Sequence, residues 1–241
     1  MRAGPAALRQ ALAERVVVAD GAMGTMLQQH DLTLDDFDGL EGCNEILNVT
    51  RPDVVRSTHD AYLDAGADCV LTNTFGANHA NLGEYDIAER IYELARAGAA
   101  LARDSADAWS TAGRPRWVLG SVGPGTKLPT LGHVGFATLR DAYADQVRGM
   151  LDGGVDAVLI ETAQDLLQAK AAVIGAKRAI AAAAGDLGEV PVIVDVTVEA
   201  TGTMLLGTEI AAALTALEPL GIDLIGLNCA TGPAEMSEHL R

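Results

Sequence analysis

A short pattern that occurs three times in the chain constrains its fold more than any other feature. In residues 66–70, 154–158 and 221–225, a glycine is followed by an apolar residue, an aspartate and the start of an apolar run. Glycine commonly ends a helix, and a short apolar run is typical of a buried strand. The pattern therefore predicts three helix-to-strand joints of one kind, which indicates a single α/β architecture.

Apolar periodicity extends this alternation over the whole chain. The predicted strands are residues 16–19, 69–72, 117–119, 157–160, 191–194 and 224–227. The predicted helices between them are residues 87–108, 138–152, 165–183 and 208–218. Alternation of this kind is typical of a parallel sheet covered by helices, either closed into a barrel or open and doubly wound.

Every predicted strand leads into a polar or glycine-rich segment, and a closed barrel brings such exits together on one face. We therefore expect the α/β (β/α)8 TIM-barrel type rather than the open sheet. About six of the eight βα units fit into the chain at its strand spacing. The expected organisation is one barrel domain over residues 1–241 that is incomplete at its C-terminal end.

The composition disfavours several classes of protein. Hydrophobic residues make up 49% of the chain and aromatic residues only 4%, which suits helices packed on aliphatic strands. A formal net charge of -16 argues against nucleic-acid and membrane partners, because both carry negative charge. Three cysteines do not form a disulfide framework, and no signal-peptide pattern opens the chain. We therefore expect reduced thiols and a cytoplasmic location.

The strand exits supply the candidate functional residues. The first exit is Asp20-Gly-Ala-Met-Gly-Thr25, whose two glycines allow a ligand to approach main-chain amides closely. A carboxylate that directly follows a buried strand, as Glu161 does, needs a partner or a ligand, and a substrate ammonium group is one such partner. Cys229 follows the last predicted strand, at the end where parallel α/β proteins place their chemistry.

Each of these features also has a simpler interpretation. The two glycines fit an ordinary turn, Glu161 fits a structural ion pair, and Cys229 fits a small buried hydrophobic residue. Cys69 begins its strand and is expected at the opposite end, and Cys43 is expected to be an ordinary buried thiol. The five histidines show no paired metal-ligand spacing, so none is assigned to a metal site.

Several segments together resemble the homocysteine S-methyltransferase family. They are Asp20-Gly-Ala-Met-Gly-Thr25, Asn44-Glu-Ile-Leu-Asn-Val-Thr-Arg-Pro-Asp53, Thr72-Asn-Thr-Phe75, Gly120-Ser-Val-Gly-Pro124, Glu161-Thr162 and Gly226-Leu-Asn-Cys-Ala-Thr-Gly-Pro233. The resemblance covers essentially the whole chain. Within this family, the chain most resembles the branch formed by the N-terminal module of cobalamin-dependent methionine synthase. Residues 44–53 and Thr201-Gly-Thr-Met-Leu205 carry this part of the resemblance.

The resemblance implies a (β/α)8 barrel that activates homocysteine at a zinc ion held by three thiolates. Cys229 is implied as a zinc ligand and as the catalytic residue, since zinc coordination keeps the substrate sulfur as a thiolate. The methyl donor is implied to be methylcobalamin from another module, and the partners are corrinoid and folate modules of a longer chain. The implied substrate-binding residues are Asp20, Gly21, Ala22, Met23, Gly24, Thr25, Asn73, Ser121, Glu161 and Asn228.

One departure from the family pattern leaves alternatives open. The family has an adjacent pair of cysteines after its final strand, and this sequence reaches Arg241 without such a pair. We therefore expect the zinc site to be incomplete in this chain and the chain alone to be inactive. A stand-alone methyltransferase that takes methyl from a sulfonium or betaine donor is one alternative. A fragment without catalytic function is the other.

Overall fold

The computed structural model describes residues 3–183 and 190–239, so residues 1–2, 184–189 and 240–241 of the expected 1–241 domain lie outside the described residues. Within them the helices are α1 Pro5–Glu14, α2 Met23–Leu27, α3 Leu47–Thr50, α4 Pro52–Ala65, α5 His79–Glu84, α6 Ile91–Trp109, α7 Phe136–Gly153, α8 Leu166–Ala182, α9 Ile210–Leu217 and α10 Pro233–Ser237. Short 3-10 helices lie at Asn44–Ile46, Ala88–Arg90, Pro129–Leu131 and Glu218–Leu220. No helix of this part of the chain is long and apolar enough to cross a membrane.

One parallel sheet lies at the centre of the molecule. Its strands are β1 Cys69–Leu71, β2 Trp117–Val122, β3 Ala157–Ala163, β4 Val192–Val196 and β5 Leu224–Leu227. Each strand pairs in parallel with the next, so the spatial order is the order in the sequence. The predicted α/β alternation is confirmed, and the sheet is not closed into a barrel over the described residues.

The first predicted strand, residues 16–19, is wrong as a full strand. It is an extended segment with a single bridge, between Ala19 and Cys69. The carbonyl of Val18 accepts hydrogen bonds from the amides of Asp68 and Cys69, and the amide of Asp20 donates to Cys69. The segment therefore lies parallel beside β1. Val16 and Val18 are 83% and 54% exposed, and such incomplete burial explains why the aliphatic run does not form a longer ladder.

Two apolar layers lie on opposite faces of the sheet. The larger layer packs the outer face of the strands against α6, α7 and α8, with Val118, Val158 and Val194 at its centre. The smaller layer contains Leu119 and Leu159 from the inner face, together with Leu8 of α1. Cys69 and Trp117 belong to this layer at the starts of their strands. Helix α1 therefore covers the amino-terminal end of the sheet and leaves the carboxyl end for ligands.

The three predicted joints share a tertiary contact. Their glycines have φ values of 113°, 99° and 74° at Gly66, Gly154 and Gly221, which is the left-handed conformation that ends a helix. The aspartate that follows then accepts a main-chain hydrogen bond from a neighbouring part of the sheet. The bonds are Val18 N to Asp68 at 3.0 Å, Val118 N to Asp156 at 2.9 Å and Val192 N to Asp223 at 2.7 Å.

An arginine pairs with the carboxylate at each joint. Arg15 lies 2.7 Å from Asp68, Arg103 lies 2.7 Å from Asp156, and Arg9 lies 2.6 Å from Asp223. The recurring aspartate therefore fixes the register of its strand against a neighbour, while an arginine balances the charge. The predicted repeat is confirmed, because the same arrangement of glycine, aspartate and arginine occurs at all three joints.

Candidate active site

A cavity of about 380 Å³ opens at the carboxyl end of the sheet. It is lined by the loop that follows the extended segment 16–19, by the 3-10 helix Asn44–Ile46, by the end of β1 and the loop after it, and by β2 and β3. These are Asp20, Gly21, Ala22, Met23, Gly24, Asn44, Glu45, Leu71, Thr72, Asn73, Phe75, Ser121 and Glu161. Eight of the predicted substrate-binding residues therefore surround one cavity, and Thr25 and Asn228 do not line it.

The alternation of side chains along a strand explains the inner wall. Leu119 and Leu159 belong to the inner apolar layer, so the residues two positions later, Ser121 and Glu161, are directed to the same face. The same periodicity places Asp195 two positions after Ile193 of β4. Both Glu161 and Ser121 belong to their strands, so β2 and β3 extend further than the sequence predicts.

Hydrogen bonds connect the cavity to Cys229. The Ser121 hydroxyl donates to Oε1 of Glu161 at 2.5 Å. The Asn228 amide nitrogen lies 3.5 Å from Oε2 of Glu161 and donates to Oγ1 of Thr162 at 2.9 Å, while Thr162 N donates to Asn228 Oδ1 at 3.0 Å. Oγ1 of Thr162 lies 3.7 Å from Sγ of the exposed Cys229. Asn228 therefore links a cavity carboxylate to the region of the candidate metal ligand.

The backbone beside Cys229 adopts an unusual conformation. Thr162, Cys229 and Ala230 have φ values of 58°, 58° and 50°, a region that residues other than glycine rarely occupy. Each such residue costs free energy of order 1 to 3 kcal/mol, and such residues cluster at functional sites. Here they occur at the ends of β3 and β5, where they direct Thr162 and Cys229 towards each other.

Apart from Glu45, whose pKa burial also raises, three carboxylates at this end of the sheet have raised pKa values. Burial raises the pKa of Asp20 to about 7, where the amide of Leu71 opposes the shift and the charge of Glu161 adds to it. Burial also raises the pKa of Glu161, which the Ser121 hydroxyl opposes and Asp195 increases. Burial alone raises the pKa of Asp195 to about 6. A cation at this site would favour the ionised form of all three carboxylates.

None of these carboxylates forms an ion pair with lysine or arginine within residues 3–183 and 190–239. Oδ2 of Asp20 accepts the amide of Leu71 at 2.9 Å, whereas its buried Oδ1 has no hydrogen-bond partner there. The ion-pair interpretation of Glu161 is therefore not supported by the described residues. Negative charge without a cation is suited to a ligand with a positive group.

The two glycines after Asp20 have different surroundings. A Cβ at Gly21 would lie 2.9 Å from Oη of Tyr62, which donates to the carbonyl of Ala22 at 3.0 Å. Glycine at position 21 therefore allows Tyr62 to pack against the loop. A Cβ at Gly24 would meet nothing within 4 Å, so this part of the loop borders open space in the cavity.

Asp195 also depends on a neighbouring glycine. A Cβ at Gly226 of β5 would lie 2.2 Å from Oδ1 of Asp195, so a side chain there would require this carboxylate to move. The absence of a side chain at position 226 therefore makes room for the carboxylate on the adjacent strand β4.

Some residues that line the cavity, such as Glu45, were not predicted from the sequence as site residues. Glu45 is buried and accepts the amide of Gly76 at 2.7 Å, so its carboxylate holds the loop after β1 in place. Asn73 was predicted, but its amide nitrogen donates to the carbonyl of Asn44 and to Oδ1 of Asn48. The burial of Glu45 depends on Gly76, which is distant in sequence. The only sequence signal for Glu45 as a site residue was its position in the segment 44–53 that carries the family resemblance.

The cysteines do not form a metal site with one another in the described residues. Cys43 is buried with Ile46 and Leu82, and Cys69 is buried at the other end of the sheet, as the sequence predicts. Only Cys229 is exposed. Among residues 3–183 and 190–239, no three His, Cys, Asp or Glu side chains come together as metal ligands. This part of the chain therefore does not fit a complete three-thiolate zinc site.

The chain is similar to known proteins over almost its whole length. The family model described as homocysteine S-methyltransferase matches residues 17–241. A methionine synthase from Mycobacterium tuberculosis is 65% identical over 97% of this chain, and a methionine synthase from Mycobacterium leprae is 64% identical over the same share. The chain spans only 19% of the length of each of these relatives.

Solved structures show the same fold. The metallated form of the homocysteine methyltransferase MmuM from Escherichia coli matches with a TM-score of 0.75 at 21% identity. The match covers 98% of this chain and 82% of that protein. The apo form matches with a TM-score of 0.71 at 20% identity and covers 98% and 80% of the two chains. The open parallel sheet is therefore the arrangement of a TIM-barrel fold, as the sequence predicts.

Proposed function

Because the chain belongs to the homocysteine S-methyltransferase family, we propose that its cavity binds homocysteine for transfer of a methyl group to the homocysteine sulfur. The observation that carries this proposal is the pair of cavity carboxylates, Asp20 and Glu161, without a lysine or arginine partner in the described residues. An amino acid supplies an ammonium group that can pair with both.

The proposed binding mode uses the two ends of the substrate differently. Asp20 and Glu161 bind the ammonium group, and Ser121 and Asn228 hold the Glu161 carboxylate through the bonds described above. The main-chain amides of residues 21–25 bind the substrate carboxylate, with Asn73 at the adjacent wall. The sulfur then lies towards Cys229, which Thr162 and Asn228 connect to the same carboxylate.

Zinc and methylcobalamin belong to the proposal on the strength of the family resemblance. Cys229 supplies one thiolate ligand, so the other two thiolates must come from outside the described residues. Zinc, when bound, keeps a coordinated sulfur in its thiolate form at neutral pH. The residues of this chain bind and orient the amino acid so that its sulfur reaches that position.

The proposed setting is a module of a longer methionine synthase with corrinoid and folate modules in a cytoplasmic enzyme. The high identity to two much longer relatives supports this setting. A stand-alone enzyme with a sulfonium or betaine donor is less favoured, because the likeness to MmuM is at 20 to 22% identity and concerns the fold.

The test is binding of L-homocysteine and of 4-sulfanylbutanoate, which lacks the amino group, to the full-length protein that carries this module. Glu161→Gln is expected to weaken L-homocysteine binding about 10- to 100-fold, since a hydrogen bond between charged groups is lost in a partly buried site. Binding of 4-sulfanylbutanoate should stay nearly unchanged. Isothermal titration calorimetry measures both dissociation constants.

Glu89→Gln is the matched control, because it makes the same chemical change at an exposed position on a 3-10 helix. It should bind both compounds as the unmodified protein does. An unchanged Kd for L-homocysteine in Glu161→Gln would remove Glu161 from this role. No binding of L-homocysteine by the unmodified protein would refute the proposed function itself.

A further inference from the structure

A closed ring of hydrogen bonds involves the backbone N–H and C=O of one residue beside the cavity, Ser121. The amide of Ser121 donates to Oγ1 of Thr72 at 3.0 Å, and Oγ1 of Thr74 donates to the carbonyl of Ser121 at 2.8 Å. The two threonine hydroxyls lie 2.6 Å apart. All three residues are almost fully buried, at 3%, 0% and 2% exposed for Thr72, Thr74 and Ser121.

The direction of every bond in the ring is determined. A hydroxyl has one proton to donate, and Thr74 uses its proton on the Ser121 carbonyl. The bond between the threonines must therefore run from Thr72 to Thr74. Thr72 in turn accepts the proton of the Ser121 amide, so the two threonines satisfy the main-chain groups on either side of the Ser121 Cα.

The ring does not use the Ser121 hydroxyl, which is therefore available to bond to a side chain of the cavity. With its main chain held on both sides, Ser121 directs its own proton at Oε1 of Glu161, 2.5 Å away. A further bond, from Nε2 of Gln146 on α7 to the Thr74 carbonyl at 2.8 Å, anchors the ring to the outer helices. A buried polar network that satisfies its members in this way fixes a single geometry.

We propose that Thr72 and Thr74 are positioning residues that select for the amino group of the substrate by fixing Ser121 and, through it, the Glu161 carboxylate. The proposal rests on the proposed function, since it explains how the ammonium-binding carboxylate is held. Neither threonine hydroxyl needs to touch the substrate. Asp20 and Asp195 are the other charged groups near Glu161, and neither bonds to it in the described residues.

The experiment measures binding of L-homocysteine and 4-sulfanylbutanoate to the full-length protein and to its Thr74→Val, Thr74→Ser, Ser121→Ala and Thr74→Val/Ser121→Ala variants. Valine has the shape of threonine without the hydroxyl, whereas serine keeps the hydroxyl. Thr74→Val is expected to weaken L-homocysteine binding about 10-fold, as expected for a displaced hydrogen bond to a charged group. Binding of 4-sulfanylbutanoate should change by less than about 2-fold, within the scatter expected when an interaction is untouched.

Two results distinguish positioning from general destabilisation. Thr74→Ser should restore L-homocysteine binding to within about 2-fold of the unmodified protein, because the ring is retained. In the Ser121→Ala background, Thr74→Val should add little, because the hydroxyl through which it acts is already gone. Steady-state kinetics should show the loss in KM rather than in kcat. Circular dichroism melting of each variant establishes that it is folded.

Equal weakening of both compounds, or a full additional effect of Thr74→Val on Ser121→Ala, would overturn the positioning role. An unchanged Kd in Thr74→Val alongside a weakened Glu161→Gln would overturn it while leaving the proposed function intact. If the unmodified protein binds both compounds equally, the ammonium-binding role of Glu161 and this inference both fall, whereas the proposed function falls only if L-homocysteine does not bind. Should Thr74→Val not fold, Thr72→Val removes the neighbouring hydroxyl and is measured in the same way.

Discussion

The three helix-to-strand joints have nearly the same local sequence, but their aspartate–arginine pairs are buried to different extents. They can therefore be compared directly. Replacement of each aspartate by asparagine keeps an oxygen that can accept the main-chain hydrogen bond but removes the charge opposite its arginine. The side chains of Asp156 and Arg103 are 0% and 8% exposed, whereas those of Asp223 and Arg9 are 22% and 33% exposed. Asp68 lies between these cases, at 10% against 44% for Arg15.

Burial sets the expected magnitudes. Asp156→Asn leaves Arg103 charged and buried, which typically costs about 3 to 5 kcal/mol of unfolding free energy. Arg103 keeps a second partner, Asp107 at 2.8 Å, so the lower end of that range is expected. Asp223→Asn should cost no more than about 1 kcal/mol, because solvent screens an accessible pair. Asp68→Asn should fall between the two.

Urea unfolding followed by circular dichroism at pH 7 measures these differences. Added salt should reduce the effect of Asp223→Asn and leave that of Asp156→Asn nearly unchanged, since buried pairs are screened less. A double replacement, Arg103→Met with Asp156→Asn, should recover most of the lost stability, because no buried charge is left unpaired and position 156 keeps an acceptor for the Val118 amide. Equal losses at the three joints would refute the argument that burial decides their contribution.

Three further predictions concern pH, the cavity and zinc. Burial lowers the pKa of His59 to about 4, so the folded state keeps this histidine neutral. As pH falls from about 6.5 to 4, the unfolded state gains a proton first and the protein loses about 3 kcal/mol of unfolding free energy. His59→Leu should flatten that part of the pH dependence of urea unfolding. Because burial raises the pKa of Asp20 to about 7, the unfolded chain ionises first, so stability is lost as pH rises from about 4 to 7 and the loss is complete above 7. Asp20→Asn should therefore raise the Tm at pH 8, by about 8 to 16 °C for a loss of about 4 kcal/mol, and calorimetry should show weaker homocysteine binding. The 241-residue chain alone should retain no stoichiometric zinc after dialysis, since Cys229 is its one exposed thiol; one tightly held zinc per chain by elemental analysis would contradict this.

Local patterns predicted the parts of the fold and site that depend on neighbouring residues in sequence. The joint glycines and aspartates, and Glu161 after its apolar run, needed only local signals. Glu45 could not be predicted in the same way, because its burial depends on the amide of Gly76. The bonds that join Thr72 and Thr74 to Ser121 likewise connect distant parts of the sequence, the loop after β1 and strand β2. The exposed segment at residues 16–19 shows the converse, since an aliphatic run alone does not make a full strand without burial.

The contact between Asp195 and Gly226 links the identities of two positions on adjacent strands. A Cβ at position 226 would lie 2.2 Å from Oδ1 of Asp195, so any side chain there requires that carboxylate to move or the aspartate to be replaced. A lineage that acquires alanine at 226 therefore needs a new side-chain conformation or a smaller residue at 195. Substitutions at the two positions should be coupled, so a library that randomises both reaches combinations on β4 and β5 that a library at one position misses.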